Sequence, residues 1–217
     1  MDDQGVIVQK NSVRYGKTGA AMYHSHHDLI RFWERAVRRA DLPVRMTQGF
    51  NPRPRLVFPH ALGVGIASLH EEVEMEFSRR IENADILDRL RYACRGVLDI
   101  RQVTTLPPVK KGRTAKEFRY EISGWPRDVL STLTGAIDQL LAKESVCMRR
   151  GAPGAERRVD IRPYLRELRI SDGKVLAKVM NSLAGTARPD EIAGALADEC
   201  GVDASALHIL KTGMALD

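Results

Sequence analysis

In the second half of this 217-residue chain the hydrophobic period switches between two and 3.6 residues in a set order, and few topologies satisfy that order. Lys116 to Ser123 alternates as a strand. Pro126 then stands at the start of a helix that turns Val129, Leu130, Leu133, Ile137, Leu140 and Leu141 inward. Val146 to Arg150 reads as a strand and Gly151 to Gly154 as a loop. Leu168 to Ile170 and Val175 to Val179 form a hairpin around Ser171 to Lys174. Pro189 opens a helix with Ile192, Ala193 and Leu196 inward, Gly201 suits its exit, and Leu207 to Lys211 is the last strand. The order is β-α-β-β-α-β, the ferredoxin-like succession.

The first half reads similarly, with an extra strand pair at its start: Val6 to Tyr15 and Ala20 to His24, around a Gly16 to Gly19 turn. Ser25 and Asp28 form a capping box for a helix whose apolar face is Leu29, Phe32, Trp33, Ala36, Val37 and Ala40. Val44 to Thr47, Arg55 to Phe58 and Glu71 to Ser78 read as strands. Asn83 caps a second helix, and Leu98 to Leu106 closes the unit. Pro107, Pro108 and the basic run to Arg113 form a linker. The expectation is an α+β protein of two tandem ferredoxin-like units, residues 1–113 and 114–217, with one larger α+β sandwich as the rival. Right-handed crossovers put both helices of a unit on one sheet face and leave the other free to bind.

Several function classes drop out on composition. The start, Met1 to Gly5, lacks the basic and apolar segments of a secretory leader, and no apolar run approaches the roughly 20 residues that span a bilayer. Membrane insertion and secretion are not expected. Cys94, Cys147 and Cys200 are odd in number, far apart and without a CxxC pair, which disfavours disulfides, a chain-borne iron–sulfur cluster and a zinc ribbon. They read as small buried apolar groups in a cytoplasmic protein that needs no cofactor and no metal.

The net charge of +6 matters through its distribution. Arg31 to Arg55 holds seven arginines against Glu34 and Asp41, a net of +5. Lys110 to Arg119 adds a net of +4 and Arg149 to Arg158 a net of +3, whereas Glu71 to Asp99 carries eight acids against five arginines. Segregated positive charge is the footprint of an anionic partner.

Three clusters carry candidate chemistry. Tyr23-His24-Ser25-His26-His27-Asp28 sits at the entry to a helix, where backbone amides favour anions. His24 and His26 share a face of the extended chain. With Asp28 they could ligate a divalent ion, or His26 could move a proton with Asp28 orienting it. The plain alternative is that Ser25 and Asp28 cap the helix and the histidines pack. The second cluster is Thr47-Gln48-Gly49-Phe50-Asn51-Pro52-Arg53-Pro54-Arg55. A proline-stiffened loop offering Gln48, Phe50, Asn51, Arg53 and Arg55 could grip phosphate and stack a base. Otherwise it is a rigid turn with Phe50 in the core. The third is the stripe Arg31, Arg35 and Arg38, opposite the helix's apolar face, which is either a solvated surface or an anion track. Gly16-Lys17-Thr18-Gly19 lacks P-loop spacing and reads as a hairpin tip. Arg157 to Leu165 is equally a basic patch or an ordered edge.

Arg14-Tyr15-Gly16-Lys17-Thr18-Gly19, Ser25-His26-His27-Asp28-Leu29, Arg35 to Ala40 and Gln48-Gly49-Phe50-Asn51-Pro52-Arg53-Pro54 together resemble the radical SAM-associated family of bacteria. Val159-Asp160-Ile161-Arg162-Pro163-Tyr164 looks like that family's later motif. His26 and Asp28 match it, His27 stands where leucine is common, and His24 is outside the motif. The resemblance implies a radical SAM enzyme as partner. The first half also looks distantly like CRISPR repeat-RNA endonucleases, built of tandem ferredoxin-like domains. The reading that follows is a non-catalytic partner of a radical SAM enzyme that binds or presents RNA or another anionic substrate. The alternatives are a metal-independent endoribonuclease using His26 and a protein-interaction scaffold.

Overall fold

A computed structural model describes residues 7–109, 112–152 and 154–217. Met1 to Val6, Lys110, Lys111 and Pro153 lie outside the described residues, so the leading part of the first expected strand, part of the linker and one loop position are not assessed. The fold is α+β. It divides into two compact units, one running to Thr114 and including Leu216 and Asp217, the other Ala115–Ala215.

The first unit comprises β1 (Gln9–Lys17), α1 (His26–Arg39), β2 (Leu56–Val57), β3 (Ala67–Phe77), α2 (Asn83–Cys94) and β4 (Asp99–Leu106). The strands lie in the order β2-β3-β1-β4, each antiparallel to its neighbour. Alternation along β1 and β3 decides what each face holds. Val13 opposite Val73 and Tyr15 opposite Glu71 face the helices, with Met75, Phe77 and Ile100. Leu29, Trp33, Ala36 and Val37 of α1 and Ile86, Leu90 and Ala93 of α2 complete that core. Tyr15 meets Trp33 edge-on, ring centroids 5.0 Å apart.

The other face is not the free surface expected from the sequence. Lys10 opposes Glu76, Ser12 opposes Glu74 and Arg14 opposes Glu72, and all but Arg14 are buried. Glu74, 1% exposed, lies 2.8 Å from the Lys10 ammonium and 2.8 Å from Arg113 Nε. Glu72 accepts from Ser12 Oγ at 2.6 Å and from Arg113 Nη2 at 2.6 Å, and stands 3.2 Å from His70 Nε2. Glu76 pairs with Arg45 at 3.3 Å and Arg55 at 3.7 Å. A charge-paired ladder fills this face. Arg113, expected in a free basic linker, is bound into it.

The expected second strand of an opening pair is also corrected. Gly19–Tyr23 is a turn of 3-10 helix, tied down by Lys17 Nζ donating to the His24 carbonyl at 3.1 Å. An ammonium buried at the end of β1 needs an acceptor, and the His24 carbonyl just after the turn supplies one. Asn83 does not cap α2. It is the first helical residue, and its side-chain oxygen accepts from Asn11 at 2.7 Å and Thr105 at 3.2 Å.

The second unit comprises β5 (Ala115–Ser123), α3 (Leu130–Ala142), β6 (Cys147–Arg150), β7 (Arg157–Asp160), β8 (Leu165–Ser171), β9 (Lys174–Ser182), β10 (Gly185–Thr186), α4 (Pro189–Cys200) and β11 (His208–Leu216). Its main strands run in the order β8-β9-β5-β11, with β10 also on β9 and a separate β6-β7 ribbon. Phe118, Tyr120 and Ile122 oppose Val179, Ala177 and Val175, and Leu133, Ile137, Ile192 and Leu196 are buried with them. Gly201 ends α4 at φ 66°, a left-handed conformation that suits glycine. Pro126 opens a turn rather than α3, which begins four residues later.

Candidate anion-binding site

The site is assembled on α1. Its N-terminus carries the expected capping box: Asp28 N–H donates to Ser25 Oγ at 3.2 Å, while Ser25 N–H and Oγ donate to the Asp28 carboxylate at 3.3 and 2.7 Å. These bonds, with Arg31 and His24 nearby, hold the Asp28 carboxyl below its ordinary pKa. The carboxylate is thus committed to Ser25, and its hydrogen bonds do not go to His26. The His26 imidazole is half-buried, 5.5 Å from the Phe58 ring in an edge-on contact and 6.4 Å from His27. Burial, then His27 and Lys17, pushes its pKa below the ordinary value. His24 lines an open hollow of about 550 Å³ with Thr18, Gly19, Gly96 and Asp99, and its Nδ1 is buried without a partner. Among the described residues no group of three His, Cys, Asp or Glu side chains is placed to hold a metal.

The seven arginines between positions 31 and 55 separate into two classes. Four have a partner: Arg39 donates to the Ala93 carbonyl at 2.7 Å, Arg45 and Arg55 face Glu76, and Arg53, still 65% exposed, lies 3.6 Å from Glu34. Arg31, Arg35 and Arg38 are exposed, and no carboxylate of the described residues lies within 4 Å of them, although Arg31 is near enough to Asp28 to help lower its pKa. At 100° per residue they fall within about 60° of one another and span roughly 10 Å of helix. Glu34 sits between Arg31 and Arg38 on that surface, at the i−3 and i+4 spacings that make helical neighbours.

Glu34 is also what brings the stiff loop to the stripe. Met46 bridges Pro54, Thr47 N–H donates to the Arg53 carbonyl at 2.7 Å, and Arg55 N–H donates to the Arg45 carbonyl at 2.8 Å. Residues 45–55 therefore form a small ribbon with Gln48, Gly49, Phe50, Asn51 and Pro52 at its tip. Gly49 takes φ 125°, which turns the tip. The base is fastened to β3 by the Arg45 N–H to Glu76 carbonyl bond at 2.7 Å and by the Glu76 ion pairs. The side nearest α1 is fastened by Arg53 to Glu34. Gln48 and Asn51 are exposed, and Phe50 is as accessible as in an extended chain, at 105%. The expectation of Phe50 in the core is not met. Arg53 thus approaches α1 at Glu34, next to the Arg31 and Arg38 positions, Phe50 stands exposed at the ribbon tip, Arg55 faces Glu76 of the sheet, and His26 lies at the first turn of α1.

The later motif, Val159 to Tyr164, is an internal clasp of the second unit. Asp160 Oδ1 accepts from the Val146 and Arg162 amides at 2.8 and 3.0 Å, and Arg162 caps α3 through the Leu141 carbonyl at 2.6 and 3.0 Å. Arg150 forms a two-pronged pair with Glu191 at 2.7 and 2.5 Å. Only the acceptor type and a long sequence separation distinguish these arginines from those of a free basic patch. Of the cysteines, Cys94 is buried as expected, whereas Cys147 is exposed and Cys200 half-buried, contrary to the expectation for those two.

A family model described as an uncharacterized protein conserved in bacteria, DUF2344, matches residues 10–189. The chain belongs to this bacterial family. The DUF2344 match takes in all of α1, the ribbon and the Asp160–Arg162 clasp. A crystal structure titled as an unknown protein from Galdieria sulphuraria is similar over 94% of this chain and 98% of that one, at 13% identity and a TM-score of 0.30. No curated protein matches by sequence. Among the described residues, no helix is long and apolar enough to cross a membrane.

Proposed function

We propose that this DUF2344 protein binds RNA, or a comparable polyanion, along α1 of its first unit, and presents it as a non-catalytic partner to a radical SAM enzyme in the cytoplasm. The observation that supports it is the division of the arginines. Arg39, Arg45 and Arg55 turn to internal acceptors and Arg53 approaches Glu34, while Arg31, Arg35 and Arg38 stand exposed in a row with no carboxylate of the described residues within 4 Å. A solvated helix face ordinarily mixes signs. Here three arginines outnumber the one carboxylate among them, Glu34, which already faces Arg53, and that excess of positive charge suits a phosphodiester chain. The radical SAM partner rests on the resemblance of the Gln48 to Pro54 and Ser25 to Leu29 motifs. The strand orders β2-β3-β1-β4 and β8-β9-β5-β11 support reading both units as ferredoxin-like.

The test is RNA affinity as a function of salt, between about 50 and 200 mM. Wild type should weaken steeply as salt rises. The triple variant R31A/R35A/R38A should bind more weakly and with a log–log slope shallower by about 2, since each single-strand phosphate contact contributes about 0.7. RNA affinity that ignores salt, or a slope unchanged in the triple variant, overturns the reading. The partner claim is checked separately, by co-elution of the protein with a radical SAM enzyme from cells producing both.

A further inference from the structure

We infer that the α1 site takes single-stranded rather than double-helical nucleic acid, with an unpaired base stacked on Phe50. The inference rests on the RNA-binding reading and adds the substrate class. Its basis is how the loop that carries the ring is held. Arg45 and Arg55 fix the base of the ribbon to Glu76, Arg53 fixes one arm to Glu34, and the Arg53 amide donates to Thr47 Oγ1 at 3.0 Å to close the loop. Pro52 and Pro54 stiffen the returning arm. Three anchored guanidiniums, two prolines and a positive-φ glycine present one aromatic ring that touches no core. Isolated exposed apolar residues need no explanation in general. Here, however, Phe50 precedes Arg53 by only three residues, hence within about 11 Å of chain, and Arg53 approaches Glu34, the helical neighbour of Arg31 and Arg38.

A loop whose backbone is already closed by hydrogen bonds and stiffened by prolines loses little backbone freedom when a base stacks at its tip. It can be used only by a base that is free of its own stack. In a duplex the bases are paired and covered by their neighbours, so the ring gains nothing there, while the arginine row serves either form. Phosphates on Arg31, Arg35 and Arg38 supply affinity without sequence preference, and Phe50 supplies preference for unpaired strand.

The experiment compares a single-stranded and a duplex RNA of equal length, by fluorescence anisotropy, for wild type, Phe50→Ala and Phe50→Trp. Wild type should prefer the single strand. Phe50→Ala should lower single-strand affinity by about 5- to 100-fold, leave duplex affinity and the salt slope as they were, and Phe50→Trp should restore binding. A 2-aminopurine within the strand should be quenched by wild type and Phe50→Trp but not by Phe50→Ala. Because the ring is wholly exposed, the alanine variant keeps the fold. Equal affinity for both forms with no effect of Phe50→Ala overturns the inference and leaves the polyanion reading standing. Absence of salt-dependent binding by wild type removes the polyanion reading itself. Loss of a protein partner on Phe50→Ala, with RNA affinity intact, overturns the inference and assigns the ring to a protein contact.

Discussion

Glu72 is surrounded by donors. Burial alone would raise its pKa, but hydrogen bonds from His70 and Ser12 and the Arg113 guanidinium outweigh that and bring it from 4.5 to about 2. A carboxyl depressed in the fold stabilises it fully above the unfolded pKa, and that contribution disappears as pH falls from about 4.5 through 2. Thermal unfolding measured across that window should therefore show a steep acid loss in wild type and a shallower one in Glu72→Gln. Arg113→Ala, which strips two carboxylates of their shared partner, should cost about 2 kcal/mol in chemical denaturation. The thiols provide an independent check. Burial pushes Cys94 up to about 12, so it should resist alkylation at pH 8 while exposed Cys147 reacts, a difference that mass spectrometry of the native protein reads directly.

Among the elements, α1 was the most legible in the sequence. Its apolar period, its capping box and its arginine stripe all follow from local spacing, and Ser25→Ala should lower stability by about 1 kcal/mol, by thermal or denaturant melts, without changing the salt slope for RNA. What escaped the sequence was set by pairings that no hydrophobic period or capping signal encodes. The 3-10 turn at Gly19–Tyr23 depends on Lys17 finding a carbonyl. The ribbon of residues 45–55 depends on Glu34 and Glu76, 19 and 21 positions from their Arg53 and Arg55 partners (53 − 34 and 76 − 55). Clasping by Arg162 uses backbone acceptors, which no side-chain pattern reveals. For the candidate site this means that the sequence identified the residue types but not which guanidiniums are engaged. Arg53 and Arg55 looked as free as Arg31, and only coordinates separate them.

Across the whole molecule, the chain returns to its first unit at the end. The Thr114 amide donates to Asp217 Oδ1 at 2.6 Å and the Asp217 amide to the Thr114 carbonyl at 3.1 Å. These bonds are exposed, so Asp217→Ala should cost no more than about 1 kcal/mol, with the loss of amide protection in hydrogen exchange centred on Thr114. The ladder between β1 and β3 has a larger reach. Most sheets with one wet face penalise a misaligned hairpin only by exposing oily residues. Here a slip of one position would also strand Glu72, Glu74 and Glu76 among Trp33, Ile86 and Leu90, away from every cation that neutralises them. Both surfaces of the strand pair reject the wrong frame, so the nascent chain has a single acceptable alignment to find and little opportunity to settle beside it.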